Sequence, residues 1–229
     1  MRSQPLATQL AALVQPVQAL ILDMDGVLVD SEQAHMDALN MILTRPTSPA
    51  EFAALVGLGA ADTWAWLHAH HFTAAPLDQF LAEYDTAIVR RLAQSVPLVE
   101  GIEQVIHAAT AARLPLALAT SSRRVWMEAT LRGSQLTHIP FQAIVCGDEV
   151  AHPKPAPDVF LRAAALLRVA PAACLVIEDT PTGVQAARSA GMPVIARRSA
   201  WIDPHRLHAA TLLVDDLHPI ATALSTRGA

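Results

Sequence analysis

Six short aliphatic runs, separated by longer stretches with helical periodicity, limit the fold of this chain more than any other feature. These runs cover residues 19–22, 114–119, 143–146, 174–177, 193–196 and 212–214. Near-continuous apolar strands of this length, alternating with helices, are typical of a parallel sheet that is covered on both faces. The sequence therefore predicts an α/β fold built on a parallel sheet flanked by helices.

Polar side chains follow several of these runs at the point where each strand would leave the sheet. Asp23 and Asp25 follow the first run, Thr120 the second, and Glu178-Asp179 the fourth. In open parallel sheets, binding sites collect at the carboxyl ends of the strands. Side chains two positions apart in an extended segment point the same way, so the first two carboxylates would face one site. Such carboxylates repel each other unless a cation or a shared proton relieves them, which favours a catalytic or metal site.

Residues 33–95 break the alternation of strands and helices. They show helical periodicity, divided by proline and glycine, and contain no convincing strand. An insert of this size, directly after the first strand, predicts a second small domain over the site, with hinges near residues 30–32 and 96–101. The predicted organisation is an N-terminal extension over 1–17, an α/β core over 18–32 and 96–229, and an all-helical cap over 33–95.

Composition and charge exclude several classes of protein. Apolar residues make up 52% of the chain and charged residues 16%, which argues against disorder. The net charge of -5 offers no basic surface for nucleic acid, and no apolar run approaches the roughly eighteen residues that a membrane span requires. Polar residues interrupt the first 18 positions, which argues against a signal peptide. Because Cys146 and Cys174 alone form no disulfide framework, a cytoplasmic location is expected.

Four motifs stand in order along the chain: Asp23-Met-Asp25, Thr120-Ser-Ser122, Lys154-Pro-Ala-Pro-Asp158 and Glu178-Asp179. In this order they resemble the motifs of the haloacid dehalogenase superfamily, and most closely its β-phosphoglucomutase-like and phosphoglycolate-phosphatase-like branch. The likeness runs from about Gln18 to Val214. One such motif alone is usually a turn or a solvated loop, whereas the four together are specific. The resemblance implies a Rossmann-like core with an inserted helical cap.

The same resemblance implies hydrolysis of a small phosphate monoester, such as a sugar phosphate or a phosphoglycolate-like metabolite, through an aspartyl-phosphate intermediate. Asp23 would be the nucleophile. Asp25 would protonate the leaving alkoxide and then take a proton from the attacking water. That double role requires a pKa above that of an ordinary carboxylate, and the neighbouring charge of Asp23 would raise the pKa of Asp25.

A hard cation is needed to bring a carboxylate and a phosphate together, and Mg²⁺ prefers oxygen ligands. The resemblance implies that Asp23, Asp179 and the main-chain carbonyl of Asp25 are its ligands, with Glu178 binding directly or through water. An alternative interpretation is that Glu178-Asp179 places negative charge at the N-terminus of the following helix.

The predicted substrate-binding residues are His35, Gly57, Thr120, Ser121, Ser122, Arg123 and Lys154. A hydroxyl and main-chain N–H groups after the second strand can hold a phosphoryl oxygen, especially if Ser121 or Ser122 begins a helix, although ordinary N-capping is an alternative. Lys154, held between two prolines, would supply fixed positive charge to the transferring group, unless it is a surface lysine.

The cap sequence helps to choose among three functions. His35 matches a hinge histidine found in phosphomutases and sugar phosphatases of this branch, or is simply a packed histidine. Residues 58–61, after Gly57, hold no cation where the mutase has an arginine, which favours a phosphatase over a sugar phosphomutase. A catalytically silent binding module is a distant alternative, since clustered buried carboxylates would cost it stability. The expected partner is a small phosphorylated metabolite, and the expected state is a monomer or weak homodimer.

Overall fold

The computed structural model describes residues 4–227 and contains a six-stranded sheet in the order β3-β2-β1-β4-β5-β6. All neighbouring strands are parallel. The strands are β1 Ala19–Leu22, β2 Leu116–Ala119, β3 Ala143–Val145, β4 Cys174–Glu178, β5 Val194–Arg197 and β6 Leu212–Val214. Each of the six overlaps one of the predicted aliphatic runs, so the predicted parallel sheet is confirmed.

Ten α-helices complete the part of the chain between residues 4 and 227. They are α1 Leu6–Val14, α2 Glu32–Ile42, α3 Pro49–Ala53, α4 Ala60–Ala69, α5 Leu77–Gln94, α6 Ile102–Ala111, α7 Arg124–Gly133, α8 Asp158–Leu167, α9 Pro181–Ser189 and α10 His218–Ser225. Within residues 4–227, no helix combines the length and the apolar character needed to cross a bilayer.

The two faces of the sheet are covered by different helices. On β1, Leu20 and Leu22 belong to an apolar cluster with α1, α6, α7 and α10, whereas Ala19 and Ile21 belong to a second cluster with α8 and α9. All four strand residues are fully buried. Since alternate side chains point to opposite faces, burial on both sides explains why these strands are continuous apolar runs.

The segment before β1 is a helix and packs on the core. Leu10 and Val14 of α1 are fully buried, and α1 contacts α10 at the other end of the chain. Of the predicted domains, residues 1–3 of the N-terminal extension and residues 228–229 of the core lie outside the described residues.

Residues 33–95, which we call the helical insert, contain the helices α2–α5, except that α2 begins one residue earlier, at Glu32. The chain enters and leaves this insert through two adjacent segments. Val29 and Leu98 form an antiparallel bridge. The N–H of Asp30 donates to the carbonyl of Pro97 at 2.8 Å, and the N–H of Val99 donates to the carbonyl of Leu28 at 3.2 Å. These paired segments lie close to the positions where the sequence predicts hinges.

Candidate active site

The register of the sheet brings three of the four motifs to one edge. Leu22 of β1 pairs with Leu118 of β2 and with Ile177 of β4. The next residues along these strands therefore lie side by side, and the N–H of Asp23 donates to the carbonyl of Ile177 at 3.0 Å. The convergence expected at the carboxyl ends of the strands follows directly from parallel pairing.

Lys154 reaches this edge from the loop that precedes α8. Its ammonium donates to Asp23 Oδ1 at 2.5 Å, to Glu178 Oε1 at 2.7 Å and to the carbonyl of Ala119 at 3.2 Å. The residue is only 5% exposed, so the alternative of a surface lysine is wrong. Burial alone would lower the pKa of Lys154, but attraction to Asp23 and Glu178 outweighs it and raises the pKa. The ammonium therefore stays charged inside the site.

Three of the predicted metal ligands form a buried cluster. Asp23, Glu178 and Asp179 each offer a carboxylate oxygen, and these oxygens lie within 4.8 Å of one another. Both carboxylate oxygens of Asp179 are buried without a hydrogen-bond partner. Burial, followed by the charges of Glu178 and Asp23, raises the pKa of Asp179 well above its ordinary value.

This cluster fits a divalent cation. Lys154 supplies one positive charge to the three carboxylates. An unpaired buried carboxylate is costly unless a cation or a proton compensates it. Oxygen ligands in small number are what Mg²⁺ uses in proteins, with its remaining positions left to water or substrate. Gly26 belongs to the same arrangement, because a Cβ there would lie 1.9 Å from Asp179 Oδ2.

Glu178 also accepts hydrogen bonds from the main chain just before α9. Its Oε2 accepts hydrogen bonds from the N–H of Asp179 and the N–H of Thr180, both at 2.8 Å, and from the Thr180 hydroxyl at 3.0 Å. The Glu178 carboxylate therefore lies at a helix N-terminus, as the alternative interpretation expects, and also in the acidic cluster. A Cβ on Gly183 would lie 1.6 Å from Glu178 Oε1, so only glycine fits beneath this carboxylate.

Asp25 lies beside the acidic cluster in a separate hydrogen-bond network. The hydroxyl of Ser122 donates to its Oδ2 at 2.7 Å, the hydroxyl of Ser31 donates to its Oδ1, and His35 Nε2 lies 3.6 Å from Oδ1. Burial raises the pKa of Asp25, but the interactions with His35 and the two serine hydroxyls outweigh burial and lower it. The expectation of a raised pKa is therefore wrong for this arrangement, because it counted Asp23 and omitted the donors.

The segment after β2 contributes a buried hydroxyl and a turn. Thr120 is 1% exposed, and its hydroxyl accepts a hydrogen bond from the N–H of Ser122 at 3.0 Å. Thr120, Ser121 and Ser122 all line the cavity described below. The following helix, α7, begins at Arg124, so the suggestion that Ser121 or Ser122 begins it is wrong by two or three residues.

Arg123 is the one predicted substrate-binding residue that the described structure does not bring to the cavity wall. Its guanidinium pairs with Asp85 of α5, which also accepts a hydrogen bond from Trp126 Nε1 at 2.6 Å. Arg123 therefore joins the core to the helical insert. The carboxylate that holds it lies 38 residues earlier in the chain, and no local pattern reveals that pairing.

A cavity of about 80 Å³ separates the acidic edge of the sheet from the helical insert. On the insert side, the predicted residues His35 and Gly57 line it. His35 Nδ1 lies 2.7 Å from the hydroxyl of Tyr84. Gly57 has a φ of +81°, and its carbonyl accepts a hydrogen bond from the Thr182 hydroxyl at 2.9 Å. The turn at Gly57 thus contacts the first turn of α9, just after Asp179.

Several polar or aromatic residues of this cavity are absent from the sequence prediction, among them Glu32, Tyr84 and Trp126. Tyr84 and Trp126 sit on apolar helix faces, and nothing in their spacing separates cavity residues from core residues. Glu32 had a usable signal, since it directly follows the first motif and begins α2, but it was interpreted only as part of a hinge.

Comparisons with known proteins agree with this geometry. A family model described as haloacid dehalogenase-like hydrolase matches residues 17–191. The chain is 32% identical to protein CbbY of Rhodobacter capsulatus over 218 residues, which cover 90% of this chain and 96% of that protein. It is 36% identical to fructose-1-phosphate phosphatase YqaB of Escherichia coli K12 over 182 residues, which cover 77% of this chain and 94% of that protein.

A solved structure shows the same fold. The crystal structure of a CbbY mutant from Rhodobacter sphaeroides, in complex with xylulose-(1,5)bisphosphate, superposes with a TM-score of 0.81. The two sequences are 26% identical, and the match covers 88% of this chain and 95% of that chain.

Proposed function

Because the chain belongs to the haloacid dehalogenase-like hydrolases, we propose that it is a Mg²⁺-dependent phosphatase that hydrolyses a small phosphate monoester through an aspartyl-phosphate on Asp23. Hydrolysis of phosphoric monoesters is the enzyme class that family membership and the phosphatase relative support. The observation that carries the proposal is the unpartnered carboxylate of Asp179, buried beside an aspartate that is fixed by Lys154.

Asp23 and Asp179 would hold the metal, together with the main-chain carbonyl of Asp25 and with Glu178 directly or through water. When bound, Mg²⁺ offsets the negative charge that otherwise keeps a carboxylate and a phosphate dianion apart. The fit rests on the buried acidic cluster and on its excess of negative charge.

In the first step, a carboxylate oxygen of Asp23 attacks phosphorus and the bond from phosphorus to the ester oxygen breaks. Asp25 gives its proton to the departing alkoxide. In the second step, a water attacks the phosphorus of the aspartyl-phosphate, its proton passes to Asp25, and Asp23 leaves as a carboxylate with release of inorganic phosphate. A bound phosphate would oppose ionisation of Asp25 and so counteract the donors that lower its pKa.

Other residues of the site bind and neutralise the transferring group. The Thr120 hydroxyl and the main-chain N–H of Ser121 would hold phosphoryl oxygens at the end of β2. The N–H of Ser122 already donates to the Thr120 hydroxyl, and the Ser122 hydroxyl donates to Asp25. Lys154 orients Asp23 and adds fixed positive charge. Arg123, although predicted to bind substrate, would act indirectly by holding the insert to the core.

The helical insert would act as a cap that excludes water and contributes to substrate selection. We place a sugar phosphate or a phosphoglycolate-like metabolite first among substrates, and the fructose-1-phosphate phosphatase relative supports this class. A cytoplasmic location and a monomeric or weakly dimeric state stay predictions; the two free, buried cysteines are compatible with the former.

A phosphatase is preferred over a sugar phosphomutase. A mutase must hold a second phosphate while the first transfers, and the insert would have to supply the cations. The described insert residues that line the cavity include neither lysine nor arginine; the residues after Gly57 are apolar, as in Leu58 and Ala60. Water is then the natural acceptor of the phosphoryl group.

The test is release of inorganic phosphate from p-nitrophenyl phosphate and from a panel of sugar phosphates, with Mg²⁺ and after its removal by EDTA. We expect turnover that depends on Mg²⁺. Interconversion of sugar 1- and 6-phosphates with little phosphate release would instead indicate a mutase, and no reaction at all with any ester would contradict an enzymatic role.

A further inference from the structure

Glu32 is a buried carboxylate that the proposed chemistry does not use. It is the first residue of α2, is 7% exposed and lines the cavity. Asp23, Asp25 and Glu178 each accept hydrogen bonds from protein groups. Among residues 4–227, by contrast, no group donates a hydrogen bond to the Glu32 carboxylate.

Glu32 lies near the acidic cluster but is not one of its members. The oxygens of Asp23, Glu178 and Asp179 all lie within 4.8 Å of one another, and Glu32 is not in this group, although its charge adds to the raised pKa of Asp179. The two unpartnered carboxylates also differ in access: both oxygens of Asp179 are sealed from solvent, whereas Glu32 opens onto the cavity.

Keeping Glu32 in this position costs free energy. Burial raises its pKa to about 7, with the nearby charges of Asp25 and Asp30 adding to burial and His35 opposing it. An ionised carboxyl that is desolvated without a donor is unfavourable, and a glutamine or an apolar residue would avoid much of that cost. A ligand that donates hydrogen bonds would supply the missing partner.

The surroundings of Glu32 indicate what kind of ligand that is. Leu39, Phe52 and Leu55 make much of the insert wall apolar, and Tyr84 adds an aromatic face. Within the described lining, the only permanently charged cation is Lys154, whose ammonium is already engaged by Asp23 and Glu178. His35 is the other basic group of the lining: burial would lower its pKa, but the interaction with Asp25 outweighs burial and raises it, and its two ring nitrogens face Asp25 and the Tyr84 hydroxyl. A second anionic group on the substrate would therefore meet a carboxylate and no cation that lacks a partner.

We infer that Glu32 selects the alcohol half of the substrate, accepting a hydrogen bond from a hydroxyl of a neutral, polyhydroxylated leaving group and repelling a second anion. This inference rests on the proposed phosphatase function and narrows it. Sugar or polyol monophosphates become the preferred substrates, whereas phosphoglycolate-like esters and sugar bisphosphates become poor ones. Burial of a hydroxyl against the carboxylate makes the contact specific, because an analogue without that hydroxyl leaves Glu32 unpaired.

The experiment compares kcat/KM for six esters at pH 8: fructose 1-phosphate, a deoxy analogue, phosphoglycolate, fructose 1,6-bisphosphate, phosphoethanolamine and p-nitrophenyl phosphate. For the wild-type enzyme, we expect a preference of about tenfold or more for the monophosphate over phosphoglycolate and over the bisphosphate. In Glu32→Gln, the ratio of kcat/KM for fructose 1-phosphate to that for p-nitrophenyl phosphate should fall about 10- to 100-fold. The ratio of kcat/KM for fructose 1-phosphate to that for fructose 1,6-bisphosphate should also fall in this variant.

Glu83→Gln is the matched control, since Glu83 is exposed on α5 and does not line this cavity. It removes one negative charge, as Glu32→Gln does. The kcat/KM ratios of fructose 1-phosphate to p-nitrophenyl phosphate and to the bisphosphate should both stay at their wild-type values. If Glu32→Gln also leaves both ratios unchanged, the inference is overturned. A wild-type enzyme that prefers phosphoglycolate, the bisphosphate or an aminated ester such as phosphoethanolamine would overturn it as well.

Failure of the inference and failure of the proposed function give different results. If p-nitrophenyl phosphate is hydrolysed but the ratios do not move, only the role of Glu32 is wrong. If the wild-type enzyme releases no phosphate from any ester, the proposed function fails and the inference fails with it. Should Glu32→Gln not fold, the wild-type preferences decide: equal rates for fructose 1-phosphate and its deoxy analogue would refute hydroxyl recognition.

Discussion

The two walls of the cavity are built on different principles. The core wall carries Asp23, Lys154 and Glu178: strand register aligns the two carboxylates, and the Lys154 ammonium donates a hydrogen bond to each. Asp179 is buried next to them without a hydrogen-bond partner. The opposite wall, which we call the insert wall, is formed by the helical insert and by Glu32, the residue directly before it. It is apolar apart from a few groups, of which Glu32 has no donor. The first arrangement fixes a charged constellation that suits one reaction, whereas the second leaves room for choice among substrates. We therefore propose that chemistry and selectivity are divided between the core wall and the insert wall.

The strongest challenge to this division is Asp23→Asn on the core wall. Loss of the nucleophile should lower kcat by roughly 10⁴-fold or more with every ester, because no other carboxylate occupies its position. Steady-state phosphate release measures the effect, and circular dichroism checks that the fold is intact. Retained activity would remove Asp23 as the nucleophile and would leave the core wall without its assigned role.

Asp25→Asn sharpens the comparison by separating the two steps. The phospho-enzyme should form slowly, and its breakdown should fall by about 10²- to 10⁴-fold, since general base assistance to water is lost. Rapid-quench detection of acid-stable protein-bound phosphate after mixing with substrate measures both rates. Wild-type breakdown kinetics in this variant would contradict the acid-base assignment.

Asp179→Asn tests whether the unpartnered carboxylate of the core wall is a metal ligand. Mg²⁺ at 100 times its Kd should stabilise the wild-type protein by about 2.7 kcal/mol, and the variant should lose most of that gain. Thermal unfolding with and without Mg²⁺ measures the difference independently of activity. Asp62→Asn, an exposed site on α4, is the control and should respond to Mg²⁺ like the wild type. Equal stabilisation of all three proteins would refute the ligand role.

On the insert wall, Glu32 should make stability depend on pH. Its pKa is raised from 4.5 to about 7 in the folded state. The favourable contribution of the protonated carboxyl is therefore complete below pH 4.5 and is lost as the pH rises through about 7. The Glu32→Gln side chain does not titrate. The free energy of unfolding of this variant, relative to that of the wild type, should therefore rise by about 2–3 kcal/mol between pH 4.5 and pH 8. Denaturant unfolding at pH 4.5 and pH 8 measures it; a constant difference would show that Glu32 is not desolvated.

The core wall could be predicted from the sequence more completely than the insert wall. The six strands and the convergence of Asp23, Thr120 and Glu178 were accessible, because strand ends that are polar must meet at one edge of a parallel sheet. The lowered pKa of Asp25 was not, since it depends on Ser122, 97 residues away, and on the orientation of His35. These contacts are set by tertiary packing and leave no periodic signal.

The insert wall was harder to predict for a related reason. Arg123 follows a strand end like the true cavity residues, yet Asp85 of α5 draws its guanidinium away. The isolation of Glu32 is equally hidden, because the absence of a donor depends on every neighbour at once. Sequence motifs identify groups that chemistry requires, but they do not show which groups the packing leaves without partners.

The paired segments at the base of the insert restrict how it can move. Residues 28–30 and 97–99 are joined by main-chain hydrogen bonds into a short two-stranded ribbon, so these two connections cannot move independently of each other. Val29 also bridges to Asp25, and its carbonyl accepts a hydrogen bond from the N–H of Gly26 at 2.8 Å. A displacement of this ribbon would therefore reach the backbone of Asp25, so the proposed cap movement would be coupled to the alignment of the proposed proton-transferring side chain.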